Sequence, residues 1–322
     1  RYLQYFGWKP CSFTETGQPI VDEGTLSKIN DIPEAKLISE YLMVQKRTAQ
    51  VQSWIDAVSP TTGRVHGKVN SNGAVTGRMT HNSPNLAQVP ASYSPYGKDC
   101  RECWSVREGY KLVGFDASGL ELRMLAHYMN DKEYINEVVN GDIHSTNQRL
   151  AGLESRDTAK TFIYALLYGA GDAKLGSVVG GNQRAGKSLR ERFSSNLRSF
   201  GVLRERIQSK ISYGPQMVTG LDGRLVHVRS QHSALNTLLQ SAGAIVMKQA
   251  LLLLDDYAKQ WKLDYRFVGN IHDEVQTEVR EDQAEKFGRL AVSCIEAAGN
   301  HFKLNCPLAG EYKIGNNWYE TH

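Results

Sequence analysis

Hydrophobic positions follow a helical period over long segments of the chain and a strand pattern over shorter ones. Apolar residues spaced near 3.6 apart predict a helix over residues 33–58. A short apolar strand is predicted at Tyr110–Phe115, and a helix at Leu120–Met129 follows it at once. Residues 142–212 are predicted to form several helices with short breaks. Strands and helices are therefore both expected, in close succession.

The other segments carry more breakers or weaker periods. In chain order they are a loop over 1–30, strand-like pieces with Val65, Val69 and Val75 within 64–107, a turn at Gly220–Gly223, a long helix over 235–261, a hairpin over 265–279 and a helix over 281–299. No internal repeat or low-complexity tract interrupts this order.

Composition places the chain among ordinary folded proteins. Of its 322 residues, 41% are hydrophobic and 22% are charged, which excludes disordered, collagen-like and coiled-coil classes. No stretch approaches the roughly 20 apolar residues that a membrane span needs, so no membrane partner is expected. Five cysteines are too few, and odd in number, for a disulfide scaffold, which favours a reducing compartment. A chain that begins at Arg1 without a start methionine is expected to be a fragment.

Charge is separated along the chain, although the net charge is only +4. Residues 142–212 contain 12 Lys and Arg against 6 Asp and Glu, whereas residues 236–322 contain 9 against 12. A basic helical segment beside an acidic one permits a polyanionic partner. A solvated helical face that happens to be basic explains the first segment equally well.

The first candidate for chemistry is Asp116, at the end of the predicted strand Tyr110–Phe115. A carboxylate held at the end of a rigid strand can bind a hard cation such as Mg²⁺. Capping of the helix that follows is the commoner explanation for polar residues here, and Ser118 could serve in that role.

The second candidate is Ile271-His272-Asp273-Glu274-Val275, near the turn of the predicted hairpin. Alternating side chains on a strand cannot bring Asp273 and Glu274 to one site unless the turn bends them there. An acidic hairpin tip is the alternative. Carboxylates from two separate strands suit a site in which two metal ions lie about 3.5–4 Å apart.

The third candidate is a set of four residues spaced by four, Arg156, Lys160, Tyr164 and Tyr168. At about 100° per residue they form one slowly winding stripe on a helix, about 18 Å long. Two cations followed by two aromatics suit a nucleoside triphosphate, with its phosphates at the Arg and Lys end. A surface stripe whose tyrosines pack into a core is the alternative.

Two further patterns are weak. Gly181–Ser188 matches the phosphate-binding loop pattern, but the preceding residues make a poor strand, and such a loop should follow one. Cys100 and Cys103 have the spacing of zinc ligands, but no second close pair of cysteines completes the set.

The first, second and third candidates resemble motifs A, C and B, respectively, of the family A DNA polymerases. The sequence is most similar to the replicative polymerases of short-tailed bacteriophages. The other stretches that resemble this family are Gly73–Arg78, Pro84–Pro90, Gly141–His144, Gly220–Arg224 and Leu235–Gly243. One departure is His232, where many relatives have Arg and the phage branch has His.

The resemblance implies an α+β, right-hand polymerase architecture with an antiparallel-sheet palm, helical fingers and a partial thumb. The expected divisions are a thumb remnant and palm entry over 1–62, the first part of the palm with motif A over 63–128, the fingers with motif B over 129–235, and the second part of the palm with motif C over 236–322. The amino-terminal half of such a polymerase and most of its thumb have no counterpart here.

The resemblance also implies the site residues. Asp116, Asp273 and the backbone carbonyl of Ala117 would bind two Mg²⁺ ions, and Glu274 and Lys160 would join the two aspartates as catalytic residues. The residues expected to bind the nucleotide are Glu121 as the sugar gate, His144, Arg156, Lys160, Tyr164 and Tyr168. Those expected to bind DNA are Arg78, Gly169, Asn236, Gln240 and His272.

The implied activity is template-directed addition of deoxynucleotides to a primer 3′ end in viral DNA replication. The expected partners are primer–template DNA, dNTPs, and either a missing exonuclease and thumb half or a processivity factor. The expected location is the cytoplasm of an infected bacterial host. The alternative is a truncated polymerase fragment that binds DNA without synthesis.

Overall fold

The computed structural model describes residues 2–322 and combines helices with antiparallel strands. The helices are α1 (Tyr2–Tyr5), α2 (Glu23–Leu26), α3 (Pro33–Asp56), α4 (Gly97–Glu102), α5 (Leu120–Met129), α6 (Lys132–Asn140), α7 (Ile143–Ala151), α8 (Arg156–Leu167), α9 (Asp172–Val178), α10 (Gln183–Asn196), α11 (Arg198–Tyr213), α12 (Ala234–Gln260) and α13 (Ala284–His301). The strands are β1 (Lys68–Asn70), β2 (Thr80–Asn82), β3 (Tyr110–Ala117), β4 (Met217–Thr219), β5 (Leu225–His227), β6 (Tyr265–Ile271), β7 (Glu274–Arg280) and β8 (Gly310–Gly315).

A four-stranded antiparallel sheet in the order β6-β7-β3-β8 forms the centre of the fold. One face of this sheet packs against α13, where the rings of Phe115 and Phe287 lie 6.4 Å apart. Gly288 of α13 lets the Tyr312 ring of β8 approach the helix backbone. Because successive strand residues point to opposite faces, the neighbours of Phe115 along β3 point away from this core.

The helices α7 to α11 form a second region with its own aromatic centre. The rings of Phe162 and Phe193 lie 5.5 Å apart and those of Phe193 and Phe200 lie 5.3 Å apart, both edge to face. All three side chains are fully buried. This packing fixes α8 against its neighbours, so the opposite side of α8 is free to face the sheet.

The long helix α12 passes through the core and corrects one expectation from the sequence. It lies within Gln231–Gln260, a helical stretch long and apolar enough to cross a membrane by length and composition alone, with a mean hydropathy of 1.4 over its most apolar 18 residues. The expectation that no apolar stretch approaches the length of a membrane span was therefore wrong. Since 67% of that window is buried inside the fold, its apolar residues serve as core.

The strands near the amino-terminal third differ from the prediction. Val69 lies in β1, but Val65 forms only an isolated bridge with Val58, and Val75 lies outside any strand. Loop residues rich in Gly and Asn separate β1 from its partner β2, and the period could not locate that partner. The predicted helix over 33–58 is confirmed as α3, and the predicted turn at Gly220–Gly223 joins β4 to β5.

The phosphate-binding loop pattern is not a phosphate-binding loop. It follows a helix, α9, and the side chain of Asn182 accepts hydrogen bonds from the backbone of Arg184 and Ala185, the donors a phosphate would need. Gly186 brings α10 close to the backbone of Asp172. The glycines of this pattern therefore serve helix packing.

The three buried cysteines lie in two different cores. Cys100 is buried in a small cluster with Trp54, whereas Cys294 and Cys306 are buried in the main core. Cys103, which directly follows α4, is exposed.

The contact between Gly288 and Tyr312 generates a stability prediction. A Cβ atom at Gly288 would overlap the Tyr312 ring, so Gly288→Ala is expected to lower the free energy of unfolding by about 1–3 kcal/mol. Urea unfolding followed by circular dichroism measures this. Gly24→Ala, on a helix where the new methyl group meets only ordinary contacts, should change stability little. Equal midpoints for the two variants would contradict the packing described here.

Candidate active site

Three carboxylates lie side by side on the face of the sheet opposite α13. Asp116 of β3 is directly opposite Glu274 of β7 and directly opposite Glu311 of β8. Burial first, and then the nearby Glu311, Asp273 and Glu274, raise the pKa of Asp116 to about 6. Among residues 2–322, no side chain donates a hydrogen bond to Asp116 in compensation. Asp116 therefore carries negative charge that no side-chain hydrogen bond compensates.

Asp273 is the last residue of the two-residue turn between β6 and β7. The turn begins at His272, which has φ of 65°, a left-handed conformation uncommon outside glycine. Burial and the nearby Glu121 raise the pKa of Asp273. Hairpin pairing thus bends Asp273 out of the strand and brings it close to Asp116, whose own pKa it raises.

The chemistry of this group fits a divalent cation. Asp116 and Asp273 come from separate strands, and Ala117, the last residue of β3, offers a backbone carbonyl beside them. Within residues 2–322 no group of three or more His, Cys, Asp or Glu side chains is arranged to hold a metal. Mg²⁺ is commonly bound through one or two carboxylates, with water and substrate oxygens completing its shell. The two carboxylates of Asp116 and Asp273, with their raised pKa values, match this mode of Mg²⁺ coordination.

Glu274 is held by a neighbour on its own strand and by two donors from the carboxyl-terminal tail. Its Oε1 accepts hydrogen bonds from Trp318 at 2.5 Å and from Gln276 at 2.8 Å, and its Oε2 lies 3.0 Å from Nδ1 of His322. Although burial alone raises the pKa of Glu274, the hydrogen bonds from His322 and Gln276 lower it overall. Glu274 is therefore anchored to this tail, and its oxygens are engaged.

Glu121 connects three parts of the site. It lies in the first turn of α5, and its Oε1 accepts hydrogen bonds from Arg78 at 3.3 Å and from the Tyr168 hydroxyl at 3.2 Å. Burial and Glu121 together raise the pKa of Tyr168 to about 12, so this hydroxyl stays protonated as a donor. The end of α8 is thereby fastened to the sheet side of the cleft.

The four-residue stripe lies along α8 in the predicted order. Arg156 begins the helix and forms an ion pair with Asp142, Lys160 is exposed one turn further, and Tyr168 caps the end. The rings of Tyr164 and Tyr168 are stacked with centroids 6.4 Å apart. Burial, Glu121 and Asp273 raise the pKa of Tyr164, which shows that this end of the stripe lies close to the carboxylates.

His144 joins the stripe from the neighbouring helix α7, with its ring 6.2 Å from that of Tyr164. Burial, followed by the positive charges of Arg156 and Lys160, lowers its pKa. The imidazole is therefore neutral at pH 7 and can donate one hydrogen bond.

The remaining predicted residues lie directly after Tyr168 and on the first turns of α12. Gly169 has φ of 77°, and a Cβ there would come within 2.7 Å of the carbonyl oxygen of His232. Asn236 and Gln240 lie one turn apart on α12 and are half-buried. In the described residues 2–322 their side chains form no hydrogen bond, which leaves their amides available to a ligand.

Sequence reasoning missed several members of this site. Glu311 and two of the donors to Glu274, Trp318 and His322, lie in the tail, where no period predicted β8. Asp142 lies inside Gly141–His144, a stretch that resembles the family, but only its histidine was selected. The only signal in the sequence was that Asp142, a charged residue, stands two positions before His144.

Comparison with known proteins decides the family. Residues 3–320 match the model of DNA polymerase family A. The chain belongs to this family. It is 42% identical, over 99% of its length, to the DNA-directed DNA polymerases of Enterobacteria phage T3 and Escherichia phage T7. It spans about half the length of these relatives, 51% of each.

A solved structure supports the fold of this family A chain. The POL domain of Pol1 from M. smegmatis, in complex with DNA primer-template and dNTP, superposes with a TM-score of 0.85. The match covers 97% of this chain and 58% of that one at 22% identity. The predicted α+β, right-hand polymerase fold is thus confirmed. The division into thumb, palm and fingers at residues 62, 128 and 235 stays a prediction.

The crowding around Asp116 predicts a gain of stability when its charge is removed. Because the pKa of Asp116 in the folded chain, about 6, exceeds its ordinary value of 3.8, ionisation of Asp116 costs folding free energy above pH 6 and nothing below pH 4. Asp116→Asn should therefore stabilise the chain at pH 7.5 by about 1 kcal/mol, a figure discounted for partial solvent access.

Thermal unfolding in EDTA measures this effect. The advantage of Asp116→Asn should shrink as the pH is lowered from 7.5 to 5, and saturating Mg²⁺ should stabilise the unsubstituted chain selectively. An equal melting temperature for both chains at pH 7.5 would show that the carboxylate is not strained.

Proposed function

We propose that this chain is a template-directed DNA polymerase, which adds deoxynucleotides to a primer 3′ end. One observation supports the proposal: Tyr168, at the end of the Arg156–Tyr168 stripe, donates a hydrogen bond to Glu121 and lies close enough to Asp273 for that carboxylate to raise its pKa. A triphosphate along that stripe would have its phosphates beside cations and its sugar beside Glu121. Its α-phosphorus would lie near the two aspartates.

The reaction joins the primer to the nucleotide and releases pyrophosphate. The primer 3′-oxygen forms a bond to the α-phosphorus while the bond to the bridging oxygen breaks, and the hydroxyl proton is lost to solvent. Two Mg²⁺ ions at Asp116, Asp273 and the Ala117 carbonyl would supply Lewis acidity to the attacking and leaving oxygens. Lys160 would place positive charge where the leaving pyrophosphate becomes more negative.

Each nucleotide-binding residue has a separate part of the substrate. Arg156 offers a forked contact to phosphate, and neutral His144 offers a single N–H. Tyr164 would lie against the sugar, and Tyr168 would stack beside the nascent base pair. Glu121 would exclude ribonucleotides by filling the space of a 2′-hydroxyl, since its carboxylate is already held in place by Arg78 and Tyr168.

The DNA-binding residues would test the shape of the duplex without reading its sequence. The minor groove presents acceptors at similar positions in every correct base pair. Arg78, Asn236 and Gln240 are donors that could meet those acceptors, and His272 would contact the primer terminus. Glu274 would act through β7, because its own oxygens are engaged by the tail. Gly169 would give the template base room at the end of α8.

A second candidate function is DNA binding without synthesis. It is motivated by the span of the chain, about half that of the curated relatives. The missing half of those relatives, or a processivity factor, would then be an essential partner. If a phage encodes the chain, the proposed place of action is the cytoplasm of the infected bacterium.

Substitution of Asp273 separates the two functions. Asp273→Ala should reduce primer extension with Mg²⁺ and dNTPs by about a thousandfold or more, because one of two metal-binding carboxylates is lost. A primer-extension gel on a labelled hairpin template measures it, with the exposed Asp256→Ala on α12 as control. Extension that survives in Asp273→Ala would sink the assignment. Duplex binding with no extension by the unsubstituted chain would favour the second candidate.

The hydroxyl of Tyr164 predicts the response to chain terminators. If the Tyr164 hydroxyl supplies a polar contact that a dideoxynucleotide cannot make for itself, its removal penalises ddNTP more than dNTP. Tyr164→Phe should therefore raise the preference for dNTP over ddNTP by about tenfold or more, the value of one buried hydrogen bond. The ratio of kcat/KM for the two substrates is the measurement. Tyr213→Phe, at an exposed site at the end of α11, is the matched control. An unchanged ratio would place Tyr164 away from the sugar.

A further inference from the structure

One carboxylate, that of Asp142, holds both helices of the phosphate-binding side of the site. Its Oδ1 accepts hydrogen bonds from the backbone N–H groups of His144 at 3.1 Å and Ser145 at 3.4 Å, and its Oδ2 accepts from the Ser145 hydroxyl at 2.7 Å. The same two oxygens accept from Arg156, from Nε at 2.8 Å and from one terminal nitrogen at 3.1 Å. Asp142 thus caps the amino-terminal end of α7 and forms a bidentate ion pair with the first residue of α8.

The grip on Arg156 uses one edge of the guanidinium. Arginine has five N–H donors in a rigid plane, and a side-on pair with carboxylate occupies two of them. In the described residues Arg156 has no other acceptor, so the donors on its outer edge are free. A phosphate could bind at that outer edge while Asp142 remains in place.

The ion pair between Arg156 and Asp142 contributes too little to folding stability for stability to be its main role. The side chains of Arg156 and Asp142 are 51% and 45% exposed, and exposed pairs typically contribute little to folding. Bidentate geometry, however, restricts the orientation of the arginine plane. Orientation is what a long, flexible side chain lacks when it must meet one phosphate group.

We propose that Asp142 is a positioning residue, which fixes the guanidinium of Arg156 so that its outer edge meets the outermost phosphate of the incoming triphosphate. This rests on the proposed function. Arg156 lies one helical turn, about 6 Å, beyond Lys160 and farthest from Tyr168, so it serves the phosphate farthest from the sugar. A nucleoside diphosphate is too short to reach it.

The substitution Asp142→Asn tests the role while keeping the start of α7. The amide oxygen still accepts from the backbone of His144 and Ser145, but the charge and one acceptor for Arg156 are lost. We expect dNTP to bind about fivefold more weakly to the complex with a dideoxy-terminated primer–template. Binding of the matching dNDP should be unchanged, a selectivity that general damage to the fold would not produce.

A matched control is available elsewhere on the surface. Arg280 and Asp282 form the same bidentate pair, at 2.6 and 2.9 Å, away from the site. Asp282→Asn should leave both affinities unaltered. On an Arg156→Ala background, Asp142→Asn should add nothing further, because its effect passes through the arginine.

Unchanged dNTP binding by Asp142→Asn, and three further outcomes, would overturn the proposal. Tighter dNTP binding by Asp142→Asn would mean that the aspartate competes with the nucleotide for Arg156. Equal weakening of dNTP and dNDP, or weakening that persists without Arg156, would assign the effect to α7. Failure of the unsubstituted chain to extend primers is a separate result, which rejects the proposed function. In that case the same variants are compared by calorimetry with dNTP and dNDP in the absence of DNA, and unchanged dNTP binding by Asp142→Asn would still reject the positioning role.

Discussion

The crowding of like charges on one face of the central sheet is the constraint on which the rest of the site depends. Antiparallel pairing places Glu274 and Glu311 directly opposite Asp116, and opposed carboxylates destabilise a sheet. The outer two are relieved in different ways, since Glu274 receives three hydrogen bonds and Glu311 is exposed to water. Asp116, between them, has no such relief. Asp116 and the nearby Asp273 therefore both have raised pKa values, and a divalent cation is the natural counter-charge.

Hydrophobic packing on the opposite face of the sheet offsets the destabilising crowding of carboxylates. Phe115 precedes Asp116 and packs against Phe287 of α13, so one strand carries a core residue and a strained carboxylate in succession. Helix α8 then supplies the opposite charge from across the cleft. Because Tyr168 donates a hydrogen bond to Glu121, the end of α8 is fixed beside the start of α5, while its cations lie toward the opposite end of α8. Charge separation in the sequence becomes charge separation in space.

Local periodicity explains which parts of this arrangement were predictable. The strand before Asp116, helix α5 and the hairpin around Asp273 are continuous segments, and each carried its own period or turn signal. Strand β8 did not, because its partner β3 lies almost two hundred residues earlier and nothing local indicates that pairing. The crowding by Glu311 therefore lay beyond the sequence. The roles of Asn236 and Gln240 came from family resemblance, since two half-buried amides on a core helix have no chemistry of their own.

Asp142 was missed for a different reason. Its partner Arg156 is near in the sequence, but the contact between them contributes little to stability. A pattern search weights residues by the chemistry they perform, and an aspartate before a helix is usually a cap. Here the cap is real, and the same two oxygens also orient Arg156. Because an exposed pair contributes little to stability, the constraint it imposes is on direction. A flexible cation that must recognise one phosphate benefits from that constraint, so a weak surface contact can govern substrate binding where a strong buried one would govern folding.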